Sequence, residues 1–154
     1  MSDRSVVHAT FVIERTYDAS PAHVFGAWAD PAAKASWFGP PDLPHEHREL
    51  EFKVGGRERF AVSTPDGATY VFDSRYADIV PDERIVHAYD MYRDDTRISV
   101  SLATIEFKAH GSATKLIFTE QGAFLDGHDT PAEREHGTSE LLDSLGKWLG
   151  KEHT

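Results

Sequence analysis

The chain has 154 residues with 26 acidic and 16 basic side chains, and its formal net charge is −10. That balance excludes a nucleic-acid-binding protein and a protein held to anionic lipid, because both need a basic surface to meet phosphate groups. The absence of cysteine excludes disulfide scaffolds, thiolate metal sites and cysteine nucleophiles. Since the sequence shows neither a signal peptide nor an apolar run of membrane-spanning length, we expect one cytoplasmic domain over residues 1–154.

The N-terminal part of the sequence predicts a strand followed by two short helices. Apolar residues alternate with period two over His8–Asp18, which is typical of a half-buried strand. A serine and a proline then mark a helix start, so Ser20–Trp28 is predicted as a helix. The pair Asp30-Pro31 repeats that signal and predicts a second short helix that runs towards Trp37.

The middle of the sequence, from Pro44 to Gly122, predicts an antiparallel meander of about six strands. Leu116 and Phe118 mark one face of the last of these strands. Turn residues separate the alternating segments at intervals that suit strands, and they are Gly55-Gly56, Pro65-Asp66-Gly67, Pro81-Asp82, Asp94-Asp95 and His110-Gly111-Ser112.

The last segment predicts the longest helix of the chain, about 20 residues with apolar positions at helical spacing. Thr130 supplies a cap, Pro131 suits the first helical position, and Glu133 completes a capping box. The fold class that follows is α+β, with a curved antiparallel sheet of about seven strands wrapped around this helix. Such a sheet leaves a cavity against the helix, and cavities of this kind bind small ligands.

Six segments, spread from about Thr10 to Leu149, carry a resemblance to a known superfamily. They read FVIERTYDASPAHVFGAWADP, WFGP, ELEFKVGGRERF, PDG, TKLIFTEQGAF and REHGTSELLDSLGKWL. In this order they resemble the helix-grip proteins of the SRPBCC (START-like, birch-pollen-allergen-like) superfamily, and within it the activator of heat-shock chaperone ATPase homologue-like branch with its CalC-like relatives. The resemblance implies the helix-grip fold and an internal cavity, but no single activity, because the superfamily includes lipid carriers, hormone receptors and polyketide cyclases.

The same resemblance sets expectations about partners. The chaperone activator has a separate N-terminal domain, which we expect this chain to be too short to hold. Many relatives have a tryptophan soon after a glycine at the start of the last helix, whereas here Thr138 follows Gly137. Both differences argue against co-chaperone activity, and a homodimer is expected from the habit of the family alone.

Nine histidines are many for a chain of this length, and two of them form the segment His45-Glu46-His47. On a strand both imidazoles would point to one face, where His87 or Glu120 would complete a zinc site. We favour an exposed acidic edge with two solvated histidines, because no metal-ligand spacing recurs elsewhere, and we predict no metal and no cofactor. His87 itself lies between apolar strand residues, and it is expected either to line the cavity or to be a hydrogen-bonded core histidine.

Candidates for catalysis are few. No G-x-S-x-G nucleophile elbow is present. Ser99 and Ser101 alternate with apolar neighbours along one strand, and we expect their hydroxyls to face solvent rather than the cavity. For Glu120 we favour an exposed strand end that forms a salt bridge with Arg134 or another neighbour; the alternative is a buried carboxyl whose raised pKa suits it to acid or base catalysis.

Aromatic residues give the strongest indication of a ligand site. They are more numerous than a core of this size needs, so some should face an unfilled cavity in which tyrosine hydroxyls serve as polar contacts. Together with two polar candidates, the predicted cavity residues are Trp37, Phe60, Phe72, His87, Tyr89, Phe118, Glu120, Leu141, Leu145 and Trp148.

Three functions follow from this interpretation. The leading hypothesis is a non-catalytic module that binds a small apolar or aromatic ligand between the sheet and the last helix. The second is a cyclase or hydrolase in which His87 and Glu120 act as acid and base in the same cavity. The third is a co-chaperone or stress-response partner, which would expose an apolar patch larger than roughly a few hundred Å².

Overall fold

The chain folds as a seven-stranded antiparallel sheet with three helices, in a computed structural model that describes residues 3–39 and 45–151. The side chains of residues 45–47 lie outside that description. In chain order the elements are β1 (Val6–Tyr17), α1 (Pro21–Ala29), α2 (Pro31–Trp37), β2 (His45–Leu50), β3 (Arg57–Ser63), β4 (Thr69–Val80), β5 (Arg84–Arg93), β6 (Thr96–His110), β7 (Ala113–Leu125) and α3 (Pro131–Leu149). The predicted α+β helix-grip architecture is confirmed.

The strands lie in the order β1-β7-β6-β5-β4-β3-β2, so that β1 and β2 form the two edges of an open, curved sheet. Strands β2 to β7 form a meander, whereas β1 pairs along its whole length with β7, from Val6 opposite Leu125 to Tyr17 opposite Thr114. Helices α1 and α2 carry the chain from one edge to the other. The turns fall where the turn residues predict them, and Asp94 and Gly111 adopt the positive φ angles that tight hairpins require.

The helices begin at the predicted caps. Ser20 Oγ accepts a hydrogen bond of 3.2 Å from the His23 N–H at the start of α1, and Thr130 Oγ accepts one of 3.1 Å from the Glu133 N–H at the start of α3. The second half of the capping box differs from the prediction, because the Thr130 N–H donates to Asp129 Oδ1 at 2.8 Å. Asp129 takes the place of the predicted acceptor Glu133 because it is adjacent to Thr130 in the sequence.

Helix α3 lies against the face of the sheet that carries the alternating buried residues, which we call the inner face. Leu142 and Leu145 are fully buried there, in one core with Val24 of α1 and Ile105 of β6. The Tyr17 hydroxyl also donates a buried 2.7 Å hydrogen bond to the Leu142 carbonyl, which fixes the helix against β1. Within the described residues, no helix is long and apolar enough to cross a membrane.

Candidate functional site

A cavity of about 730 Å³ lies between the inner face of the sheet and α3. Residues of β3 to β7 line it on one side, and residues of α3 line it on the other. Aromatic side chains form much of its wall, and they are Trp28, Trp37, Phe38, Phe60, Tyr70, Phe72, Tyr89 and Phe118. A cavity of this size suits a small organic ligand.

The structure brings most of the predicted cavity residues together. Those on the wall are Trp37, Phe60, Phe72, His87, Tyr89, Phe118, Glu120 and Leu141. Leu145 and Trp148 are placed elsewhere: Leu145 is buried in the core, and Trp148 makes a T-shaped contact with His23 of α1 at 6.4 Å between ring centroids. Both lie beyond Leu141 along α3, where α1 and β1 fill the space under the helix.

Sequence reasoning missed several residues of the wall, including Trp28, Phe38, Val62, Met91, Ile98 and Thr138. A signal existed for two of them. Val62 shares strand parity with Phe60, and Met91 shares it with Tyr89, so each faces the same way as a predicted aromatic residue. Trp28 and Thr138 come from helices, Phe38 directly follows α2, and Ile98 lies near the start of β6, so the orientation of these side chains depends on packing.

A buried network of polar side chains forms one end of the cavity. Tyr89 donates from its hydroxyl to Glu120 Oε2 at 2.8 Å. Arg134, in the second turn of α3, donates from Nη1 to the Tyr89 hydroxyl at 2.9 Å and lies 3.4 Å from Glu120 Oε2. Its Nη2 donates to Ser99 Oγ at 2.7 Å and to Asp129 Oδ2 at 2.8 Å. The guanidinium therefore joins α3, the preceding loop and three strands.

The protonation of Glu120 reflects its burial. Only 1% of its surface is exposed, and this burial raises the pKa of the carboxyl, while Arg134 and the hydroxyls of Tyr89 and Ser101 act in the opposite direction. Arg134 and Tyr89 bind Oε2. Oε1 of the same carboxyl is buried and has no hydrogen-bond partner among the described residues.

Two further buried polar atoms in the described part of the chain have no partner, namely Trp28 Nε1 and Ser101 Oγ. Trp28 lines the cavity and Ser101 does not. Buried polar groups are nearly always hydrogen-bonded in folded proteins, and Ser101 does act on the neighbouring Glu120 carboxyl as a hydrogen-bonding group.

His87 lines the cavity and is hydrogen-bonded as well, so both expectations for this residue hold. Its Nδ1 lies 2.8 Å from Ser74 Oγ, and its ring stacks on Tyr89 at 5.8 Å. Burial, together with the positive charge of Lys34, lowers the pKa of His87 to about 3. The imidazole is therefore neutral near pH 7.

His87 and Glu120 lie in one row of the inner face, with Ala103 between them in the strand register. Two interstrand spacings place their Cα atoms about 10 Å apart. Ala103 contributes only a methyl group to the gap. Both residues proposed as acid and base therefore line the same cavity.

Two orientations differ from the predicted ones. Ser99 and Ser101 are buried, whereas Val100 and Leu102 are 41% and 40% exposed, so the expectation of solvent-facing serines is wrong. Arg134 binds one serine, and the other lies opposite Tyr89 in the register. The favoured exposed position of Glu120 is also wrong, although its predicted partner Arg134 is correct. This carboxyl stays inside because Tyr89 and Arg134 supply its hydrogen bonds.

A second buried ionic cluster lies behind the aromatic wall. Lys34 Nζ of α2 lies 2.6 Å from Glu58 Oε1 of β3, and the Tyr76 hydroxyl donates to the same oxygen at 3.0 Å. The ammonium also lies 4.3 Å from the centroid of the Phe38 ring. Burial lowers the pKa of Lys34 and raises that of Tyr76. None of the three ionisable residues lines the cavity.

The zinc hypothesis falls largely outside the described residues. The backbone of His45 pairs with Val62 in the sheet, but the side chains of His45 and His47 are not described. Among the residues whose side chains are described, no three histidine or carboxylate side chains come together as metal ligands.

Comparison with known proteins places this chain in a family. The family described as activator of Hsp90 ATPase homolog 1-like protein matches residues 18–150. No curated protein matches the chain in sequence.

Solved structures give close matches over nearly the whole chain. An uncharacterised protein from Rhizobium leguminosarum is 45% identical, with a TM-score of 0.93 over 97% of this chain and 99% of that one. Protein Mll3558 from Rhizobium loti is 43% identical, with a TM-score of 0.85 over 94% and 99% of the two chains. Protein CV1439 from Chromobacterium violaceum is 25% identical, with a TM-score of 0.79 over 93% and 98%. By sequence match and by fold, the chain belongs to the family of activator of Hsp90 ATPase homolog 1-like proteins.

Proposed function

We propose that the protein binds a small, largely apolar or aromatic ligand in the cavity between the sheet and α3. The observation that carries this proposal is the cavity itself, about 730 Å³ in volume, with an aromatic wall and a few buried polar groups. Known ligand sites combine these features, because the apolar wall provides binding energy and the polar groups fix orientation.

The contacts between the aromatic rings support a cavity that is formed before the ligand arrives. Phe72 contacts Phe38, Phe60 and Tyr89, with ring centroids 5.4, 5.3 and 4.8 Å apart. Such contacts hold each ring in one orientation. A ligand therefore does not have to order these side chains when it binds, which removes part of the entropic cost of binding.

The test is a screen of apolar and aromatic compounds by thermal shift and native mass spectrometry, followed by two matched variants. Leu141→Trp places an indole ring on the cavity wall, and we expect it to weaken binding of any hit at least about tenfold by occupying the site. Leu102→Trp adds the same ring on the exposed outer face and should leave affinity unchanged. A hit that binds both variants equally well does not occupy the cavity, and the proposal would then be wrong.

An enzymatic role of the same cavity is the second candidate, favoured by the common orientation of His87 and Glu120. A neutral imidazole and a buried carboxyl of raised pKa are suited to general base and general acid catalysis. Hydrolysis of p-nitrophenyl butyrate is a simple assay for this role. A rate above buffer that both His87→Gln and Glu120→Gln remove would support it, and a rate equal to buffer would count against it.

A co-chaperone role is suggested by the name of the family and by exposed apolar side chains. Val6, Val7 and Val12 lie on edge strand β1, and Val100 and Leu102 lie on the outer face. The direct assay is the ATPase rate of Hsp90 at saturating concentrations of this protein, and an unchanged rate would reject the role. Sedimentation velocity of the same sample tests the expected homodimer.

A further inference from the structure

Strand β1 is an unprotected edge of the sheet. It is 12 residues long and contains no proline, and its register against β7 runs without a shift. From Val6 to Ile13 it carries no acidic or basic side chain other than a histidine. No described strand pairs with its other side. Such an edge offers a row of backbone N–H and C=O groups to a second strand, and natural proteins normally blunt it.

The opposite edge, β2, is protected in the ways that β1 is not. It is 6 residues long, and its register against β3 shifts between Glu46 and Glu49. Arg48 and Glu49 also place charges on it. A short, irregular and charged edge discourages pairing with another chain. The difference between the two edges indicates that β1 is covered by a partner.

The backbone of β1 shows which groups are available to that partner. The Asp126 N–H donates to the Ser5 carbonyl at 2.8 Å, so Ser5 faces β7. In an antiparallel strand, successive residues direct their N–H and C=O groups to alternate sides. The even-numbered residues of β1 therefore direct theirs to the open edge. The Glu14 carbonyl fits this assignment, because it accepts a 2.9 Å hydrogen bond from Arg15 Nη1 and not from β7.

The apolar side chains of this edge match a second copy of β1. Two copies can pair antiparallel about a two-fold axis at Ala9. Val6 of one copy then lies opposite Val12 of the other, and Val7 lies opposite Phe11. Val6, Val7 and Val12 are each more than half exposed in the single chain, so the pairing covers apolar surface. The axis itself falls on a small residue, which permits close approach of the strands.

The charged residues at the ends of the edge match in the same register. Arg4 of one copy lies opposite Glu14 of the other, and the two-fold axis repeats this pair. Their present partners, Asp126 and Lys115, form exposed ion pairs that contribute little. Opposite charges that face each other across two strands favour one register over its neighbours.

Neighbouring registers lose this match. With the axis at Thr10, Val6 lies opposite Glu14, and with the axis at His8, Val6 lies opposite Thr10. Each of these pairs an apolar side chain with a polar one.

From these observations we propose that the protein forms a two-fold symmetric homodimer in which the β1 edges of two copies pair antiparallel with Ala9 on the axis. The two sheets then become one continuous sheet. The interface does not depend on the ligand site. Interfaces below roughly 1,200 Å² belong to weak complexes, and a contact between two edge strands is of this kind. We expect a dissociation constant on the order of 10 µM.

Sedimentation velocity from about 1 to 300 µM tests the dimer, with two matched variants. Val12→Lys places a charge on the edge and should raise the dissociation constant at least about tenfold. Leu102→Lys makes a similar change at an exposed apolar position on the outer face and should leave it unchanged. A monomer at every concentration would overturn the proposal. So would a dimer that Val12→Lys does not weaken, or one that Leu102→Lys weakens as much.

The register is tested by disulfide formation, because the chain has no cysteine of its own. In the proposed dimer the Cα atoms of the two Ala9 residues face each other at about 4.5 Å, within the range of a disulfide. Ala9→Cys should therefore form a covalent dimer under mild oxidation. The two Val12 positions lie roughly 20 Å apart, so Val12→Cys should not. A covalent dimer of Val12→Cys, or none of Ala9→Cys where the protein is dimeric, would show that the proposed pairing is wrong.

Discussion

The Tyr89 hydroxyl donates a 2.8 Å hydrogen bond to Glu120 although strand β6 separates the two residues in the sheet. The residues of β6 beneath this contact are small. Ser101 pairs with Tyr89 and Ala103 pairs with Glu120, so the phenol ring has room to extend across the strand. Arg134 completes the contact from α3. The polar end of the cavity thus depends on side chains from β5, β7 and α3 together.

Arg134→Met should therefore be strongly destabilising. It removes the only described cation that contacts the buried carboxylate of Glu120 and leaves Tyr89 and Ser99 without their partner. We expect a loss of about 3–5 kcal/mol in the free energy of unfolding, measured in urea. Arg134→Lys should lie between this variant and the native protein, because an ammonium group cannot reproduce the forked geometry.

The control for that experiment is Arg84→Met. Arg84 lies 2.6 Å from Asp78, but the side chains are 50% and 42% exposed. Exposed ion pairs contribute less than about 1 kcal/mol. If Arg134→Met costs no more than Arg84→Met, the buried network does not hold α3 on the sheet.

A second prediction concerns the Lys34–Glu58 pair. Glu58→Gln leaves a buried ammonium without a counter-charge, and Lys34→Met leaves a buried carboxylate, so each change should cost about 3–5 kcal/mol of unfolding free energy. The double variant buries no charge, and its Gln still accepts from Tyr76. We expect it to recover most of the loss. A double-mutant cycle from urea unfolding measures the coupling, and strictly additive losses would show that the two charges do not depend on each other.

A third prediction is a pH dependence that originates at His87. In the unfolded chain this histidine binds a proton near its ordinary pKa of 6.5, whereas in the folded protein its pKa is about 3. The unfolded state therefore gains protons first, and stability falls as the pH decreases from about 6.5 towards 3. At pH 5 the loss should be about 2 kcal/mol relative to pH 7.

His87→Gln isolates that effect, because glutamine keeps a polar contact for Ser74 and does not titrate. Urea unfolding of both proteins at pH 7 and pH 5 gives the difference, in which the titration of other groups cancels. An equal loss in both proteins would mean that His87 is protonated in the folded state at pH 5.

A fourth prediction compares two glycines of α3. A Cβ at Gly137 would meet no atom within 4 Å, so Gly137→Ala should stabilise the protein by about 0.5–1 kcal/mol through helix propensity. A Cβ at Gly146 would lie 3.2 Å from Tyr17 Cε1, and that ring is fixed by its bond to the Leu142 carbonyl. Gly146→Ala should therefore give no gain or a loss. Thermal unfolding of the two variants distinguishes them, and equal stabilisation would show that Tyr17 can move aside.

The elements of this fold are predictable from local patterns in the sequence. The caps at Ser20 and Thr130 and the turn at Gly111 depend only on residues close by in the sequence. They therefore predict helix starts and a turn independently of the tertiary structure. The order of those elements then limits the fold, because a meander with one apolar face needs a cover and α3 is the longest helix available.

The polar end of the cavity is harder to predict, because its residues interact only in the folded chain. Glu120 follows Leu116 and Phe118 at even spacing, which places it on the inner face, and Ser99 and Ser101 share parity with Ile105. That periodicity is a usable signal. It conflicts with the general tendency of polar residues to face water. The buried positions of Glu120 and Ser99 are favourable because Arg134, which lies on a different element, donates hydrogen bonds to both.

The pairing of β1 with β7 has a kinetic consequence. Val6 lies opposite Leu125, so the first strand pairs with the last one, and the whole meander lies between them in the sequence. Contacts so distant along the chain form late and slow the folding of a domain. Helix α3, which supplies one wall of the cavity, follows β7 in the chain. A ligand in the cavity contacts both the sheet and α3, so its full contacts exist only when the two have packed together. Such a ligand would therefore lower the unfolding rate far more than it would raise the folding rate.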